Sequence, residues 1–163
     1  MKANSGKGNL QRRVGIHAKG KLRLESLLDR VKAHRRFKDV GGIGIFLGVT
    51  RSSSAEGKPV SHLELEAYEG KAQETMASIA DDIASRDGIV DALIHHAVGK
   101  LKQGELIMAV LVAGRSRKDV FPALIEAVER TKSTVPIWKK EFLASGESYW
   151  VSEKGRTVKQ EKS

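Results

Sequence analysis

The chain has 163 residues, 40% hydrophobic and 30% charged, which suits one soluble domain in the cytoplasm; no apolar run is long enough for a transmembrane helix or a signal peptide. It has no cysteine, which excludes disulfides, thiolate catalysis and thiolate metal sites, and its five histidines show no metal-ligand spacing. The formal net charge of +9 resides in residues 1–36, where eleven Lys or Arg stand against two acids, while the rest of the chain holds eighteen charges of each sign.

Residues 1–20, with Gly6, Gly8, Gly15 and Gly20 among scattered basic residues, read as flexible. Leu24, Leu27, Leu28 and Val31 follow at the spacing of an amphipathic helix, so residues 1–38 form a basic extension, partly flexible, with one helix. The body begins near Asp39. Residues 41–50 are apolar and glycine-rich and predict a buried strand; residues 51–59 predict a polar loop. Val60, Leu63, Leu65 and Tyr68 lie in an alternating segment that predicts a half-exposed strand. Residues 70–86 fit a helix with Ala72, Met76, Ile79, Ala80 and Ile83 on one face.

Residues 89–98 and 106–113 predict a hairpin joined through a turn at 99–104. A second main helix is predicted over 119–131, capped by Ser116 or Asp119. Pro122 is tolerated in a first turn, which places the helix start close by. Pro136 ends the helical pattern. Residues 137–143 and 148–151 flank Ala144-Ser145-Gly146-Glu147 as a small hairpin, and 153–163 form a polar tail. Hairpin-linked strands with two helices indicate an α+β sandwich, because regular βαβ alternation is missing.

The sequence carries no Walker A loop and no G-x-S-x-G elbow. The segment Lys132-Ser133-Thr134-Val135-Pro136-Ile137-Trp138-Lys139-Lys140-Glu141 is the chemical signal. Pro136 forces a turn that lets Lys139 fold back toward the helix end bearing Lys132, so two ammonium groups can line one anion-binding pocket. A lysine amine can also serve as nucleophile or base. Composition alone favours the plainer reading, a solvated Lys-Lys-Glu strand beside a helix-terminal lysine.

The string Pro136-x-Trp138-Lys139-Lys140-Glu141, with Lys132 before it and Gly146 and Trp150-Val151 after it, resembles the signature of molybdopterin synthase large subunits. Phe46-x-Gly48-x-x-Arg51, Gly57 and Leu63-x-Leu65-Glu66-x-Tyr68 resemble that family's N-terminal half, and Gly99-x-Leu101-x-x-Gly104-Glu105 its middle. The resemblance spans about residues 40–152, so 39–152 is expected to be the large-subunit domain, with an α/β-hammerhead-like sandwich of antiparallel strands, two main helices and a small β hairpin subdomain.

The resemblance implies a sulfurtransferase of molybdenum cofactor biosynthesis. A homodimer of large subunits sits within a heterotetramer, and a small ubiquitin-like sulfur-carrier subunit inserts its C-terminal Gly-Gly thiocarboxylate. Cyclic pyranopterin monophosphate (precursor Z) receives the sulfur. A chain without thiols must receive sulfur on another carrier, which agrees with this scheme. No cofactor, metal or membrane is expected, and nucleic acid is not expected as a partner.

By position, Lys132 and Lys139 match the family's catalytic lysines, and Arg51 matches a substrate-pocket arginine suited to phosphate. Val49 and Thr50 adjoin Arg51, and Lys140 and Glu141 fall in the substrate-contact segment. Lys154 and Arg156 are candidates for reaching the second protomer's pocket. Ser116-Arg117 stands where the family has a His-Arg pair, and His96-Ala97 where it has another. Serine cannot carry a proton as histidine does near neutral pH. Two other readings follow: a family member that assembles without catalysing, and a polynucleotide-binding module built on the basic arm, whose binding would weaken steeply with salt.

Overall fold

The computed structural model describes residues 13–152 and the backbone of Thr157–Lys159. Among the described residues, eight strands and three α-helices make up the α+β fold: β1 (Val14–Ala18), α1 (Leu24–Lys32), β2 (Gly42–Val49), β3 (Val60–Ala67), α2 (Glu69–Ala84), β4 (Ile89–Lys102), β5 (Leu106–Gly114), α3 (Arg117–Thr134), β6 (Ile137–Leu143), β7 (Ser148–Val151) and β8 (Thr157–Lys159). The main sheet path runs β2-β5-β4-β3-β6-β7-β8, every neighbouring pair antiparallel.

β4 organises the sheet. One edge pairs with β5, while the other is shared in succession by β1 and β3. β1 lies parallel to it from Val14↔Ile94 to Ala18↔Val98, and β3 takes over antiparallel from Leu65↔Gly99 to His62↔Lys102. The handover falls at Gly99, whose φ of +101° is a conformation that side-chain-bearing residues rarely adopt.

Each sheet face has its own cover. Helices α2 and α3 pack on one face through Met76, Ile79, Ile83, Val120 and Val128, against Ile94, Val110 and Val112 of the central strands. On the opposite face α1 buries Leu27 and Val31 with Leu93 and Leu111. This is the alternation expected of strands with both faces covered. A smaller cluster of Val60, Leu63, Leu143 and Tyr149 holds the β3–β6–β7 end together. Helix α3 lies close over β2 at Gly44, where an added Cβ would sit 2.7 Å from Val120 Cγ1.

Three local expectations are corrected. Val14–Ala18, read as flexible, is a strand, because β4 offers it an edge. The turn expected from Gly99 is strand as far as Lys102, because β3 pairs beyond the glycine. Helix α3 begins at Arg117, so Pro122 falls in its second turn rather than its first; Ser116 is the N-cap residue, its Oγ donating to Asp119 Oδ2 at 2.8 Å. The 69–84 and 137–151 elements agree with expectation within two residues.

Candidate active site

Lys132 stands in the last turn of α3, where its charge complements the helix dipole. The chain leaves the helix at Val135, passes Pro136 and enters β6, whose third residue is Lys139. Arg51 lies two residues beyond the last residue of β2. These three cations line two clefts in common, one of about 200 Å³ and one of about 410 Å³. With the bend at Pro136 between them, Lys132 and Lys139 line the same two clefts.

The smaller cleft is polar. It is lined by four cations (Arg51, Lys58, Lys132 and Lys139) and two carboxylates (Glu56 and Glu141), a surplus of two positive charges. The carboxylates are engaged: Lys139 Nζ lies 3.7 Å from Glu141 Oε1, and Lys58 Nζ lies 3.5 Å from Glu56 Oε2. Among the described residues, no carboxylate lies within ion-pair distance of Arg51 or Lys132. Lys132 Nζ instead stands 5.9 Å from the centroid of the Phe46 ring. Two cations without counter-ions at the rim of a cleft form a ready anion site.

The larger cleft sets the apolar side chains of Phe46, Leu47, Val49, Leu65, Ile107, Met108, Val135 and Ile137 beside the three shared cations. Its one titratable group besides the shared cations is His96. Burial, together with the nearby Lys132 charge, pushes this imidazole below its ordinary value, a backbone hydrogen bond opposing them. A cationic seam is thus common to the two clefts.

A family model described as "MoaE protein" matches residues 17–134. The chain belongs to the MoaE family. The match begins well before residue 40, where the sequence resemblance was expected to start, and takes in α1 and the end of β1. A molybdopterin synthase catalytic subunit of Pyrococcus abyssi is 40% identical over 111 residues, covering 68% of this chain and 74% of that protein. A probable molybdopterin synthase of Haloferax volcanii is 35% identical over 132 residues, covering 80% of this chain; the chain spans only 50% of that relative's length. The X-ray structure of molybdopterin synthase from Staphylococcus aureus superimposes with a TM-score of 0.69 at 30% identity, covering 85% of this chain and 94% of that one.

The remaining candidate residues are placed as follows. Val49 lines the larger cleft and Glu141 the smaller. Thr50 is buried behind them, its Oγ1 without a hydrogen-bond partner among the described residues. Strand alternation turns Lys140 to the other side of β6 from Lys139 and Glu141. There its Nζ lies 5.5 Å from the Trp150 ring centroid and 5.2 Å from that of Phe142. Ser116 and Arg117 sit at the opposite end of α3 from Lys132, roughly 24 Å along the axis at about 1.5 Å per residue. One protomer does not bring them to the clefts. Lys154 and Arg156 lie outside the described residues.

Sequence reasoning missed Lys58 and Glu56, which sit on a loop whose path no periodicity predicts. It matched His96 to the histidine of a second family His-Arg pair but did not place it in the cleft wall. Strand parity could have found it, since His96 shares the helix-covered face with Ala92 and Ile94. Among the described residues, no three His, Asp or Glu side chains are placed to hold a metal ion, and no helix is long and apolar enough to cross a membrane.

Proposed function

We propose that this chain is the catalytic large subunit of a molybdopterin synthase. It transfers sulfur from the thiocarboxylated C-terminus of a small ubiquitin-like carrier subunit to cyclic pyranopterin monophosphate, forming the dithiolene of molybdopterin in the cytoplasm. The observation that carries this reading is the seam of Arg51, Lys132 and Lys139 shared by the two clefts. The surplus of two positive charges in the smaller cleft complements a phosphate dianion, with the planar Arg51 guanidinium suited to bidentate contact. The larger cleft, which combines apolar side chains with polar groups, suits an extended peptide tail. In this arrangement the thiocarboxylate and the pterin meet at the two lysines.

Lys132 and Lys139 activate the substrate and stabilise the negative charge that develops as sulfur is transferred. Lys139 is held by Glu141, whereas Lys132 is not committed to a carboxylate. The large subunits pair as a homodimer within a heterotetramer, and this gives Ser116 and Arg117 their route to a site: the second protomer must supply them, since their own protomer holds them at the far end of α3. Lys154 and Arg156 are assigned to the same cross-protomer role.

The test is reconstitution. Purified chain, thiocarboxylated carrier and precursor Z should yield molybdopterin, and Lys132→Ala should abolish the product. Full activity in that variant would refute the role given to Lys132. Ser116 supports one second reading, a member that binds carrier without turnover; normal carrier binding with no product from the unaltered chain would favour it.

A further inference from the structure

A third cleft, of about 490 Å³, shares no lining residue with the two clefts above. Its polar wall is made by Arg13 just before β1, Arg30 in the last turn of α1, His34 and Arg35 beyond that helix, and Asp91 on β4. Asp91 is engaged: its Oδ1 accepts from Arg13 Nε at 2.8 Å and from the Ala92 N–H at 3.0 Å. Arg13 Nη1 donates to Asp81 at 2.9 Å, while its Nη2 makes no hydrogen bond among the described residues. Arg35 has no carboxylate within ion-pair distance among the described residues. His34 Nδ1 accepts from the Arg36 N–H at 3.1 Å, so the ring proton sits on Nε2, which is a donor.

Apart from Asp91, the polar side chains of this cleft therefore offer only donors. Such a lining selects a ligand that only accepts. Three guanidiniums against one carboxylate leave a surplus of two positive charges, and Asp81, outside the lining, reduces it to one without reversing it. The end of α1 opposes an anion through its dipole, but with only about half a charge. Every cation in the cleft is an arginine, whose planar fork matches phosphate oxygens better than an ammonium does. The volume falls within the ~300–1,000 Å³ of small-molecule sites and exceeds what a single phosphate fills.

We propose that this cleft binds a small polyphosphate, its phosphate chain lying against Arg30 and Arg35 with His34 Nε2 donating to it. The basic charge of residues 1–36, which sulfur transfer leaves unused, thereby acquires a ligand in part. The site stands independently of the sulfur-transfer reading.

The probe is inorganic tripolyphosphate, titrated into the full ¹⁵N-labelled chain. The His34 Nε2 resonance should move and saturate; an unmoved resonance overturns the proposal. Arg30→Gln combined with Arg35→Gln should weaken this binding about a hundredfold or more, the loss of two charge-assisted hydrogen bonds. Both side chains are exposed, so the urea midpoint should stay near wild type. Should that variant fail to fold, Arg35→Lys decides: it keeps the charge, loses the fork and should weaken binding about tenfold, and undiminished binding overturns the proposal. Lys132→Ala, which touches only the other clefts, should leave the His34 response unchanged. Arg36→Gln combined with Lys38→Gln removes the same charge from the same extension outside the cleft and should cost far less; an equal loss would reduce the cleft to diffuse basic surface and overturn the assignment. A single-stranded uridine oligonucleotide that binds through Arg30 and Arg35 more tightly than tripolyphosphate would make this a nucleic-acid surface and overturn the small-ligand assignment.

Discussion

Lys132 and Lys139 line the same two clefts from different elements, one in the last turn of α3 and the other on β6, with Pro136 between them. Their convergence depends on the backbone bend and not on any contact between the side chains. Each lysine can therefore be removed without unfolding the bend. Lys132→Ala and Lys139→Ala should each lower sulfur transfer by about 10²-fold or more, as loss of a charge aimed at a transition state does. The urea midpoint of Lys132→Ala should stay close to wild type, since substitutions of exposed side chains usually change stability by about 0.5 kcal/mol or less, whereas Lys139→Ala should lower it by leaving the buried Glu141 carboxylate without its ion-pair partner. In vitro molybdopterin formation and urea denaturation check the two halves separately.

The proposed function gives Arg51 a different part, phosphate binding, because a planar guanidinium suits bidentate contact with phosphate. Arg51→Lys keeps the charge but loses the planar fork. It should raise the KM for precursor Z by about tenfold or more, the cost of a charge-assisted hydrogen bond, with a smaller change in kcat. Steady-state kinetics decides this: a fall in kcat at unchanged KM would remove the phosphate role from Arg51.

Gly44 controls where α3 lies. An added Cβ would stand 2.7 Å from Val120 Cγ1 and 3.1 Å from Leu124 Cδ2, two branched side chains on the helix that carries Lys132. Gly44→Val should cost about 1–3 kcal/mol through overpacking. A lowered urea midpoint with an unchanged m-value would report this; unchanged stability would mean that α3 yields easily.

Acid stability should fall in two stages. His95 is pushed down to about 3, chiefly by burial, and His17 and His96 are also lowered. The unfolded chain takes up these protons near pH 6.5, before the folded chain does, so stability declines as the pH drops below about 6.5. The second stage involves Asp82 and Glu126, which Arg86 and Arg130 hold below the usual carboxylate range across the α2–α3 junction. Their contribution is present above about pH 4.3 and is lost as the pH falls through their folded values. It is small, because exposed ion pairs are screened by water. His95→Gln should flatten the decline between pH 6.5 and 4.5 and leave the lower stage in place, as read by urea unfolding at stepped pH.

The sequence by itself determined the element types wherever apolar residues recur with a clear period. Helix α2 shows its buried face in Ala72, Met76, Ile79, Ala80 and Ile83, and these are the residues that pack in the core. The β6–β7 hairpin and the Pro136 bend were legible for the same reason, since a local signal suffices to specify a local structure. The two lysines were legible as a pair because a single turn joins them.

Only the tertiary structure decided what depends on partners distant in the chain. Val14–Ala18 is a five-residue segment among glycines and basic residues, too short to announce a strand, and it becomes one because β4 presents an edge to it from Ile94 to Val98. Gly99 signals a turn in isolation, yet the strand runs through it because β3 supplies hydrogen bonds beyond it. Lys58 and His96 reach the clefts from a loop and from the central strand, and Ser116 is held away from them by the length of α3. Hydrogen-bonding edges and cleft walls are made by segments that meet only once the chain has folded, so no periodicity in the sequence can encode them.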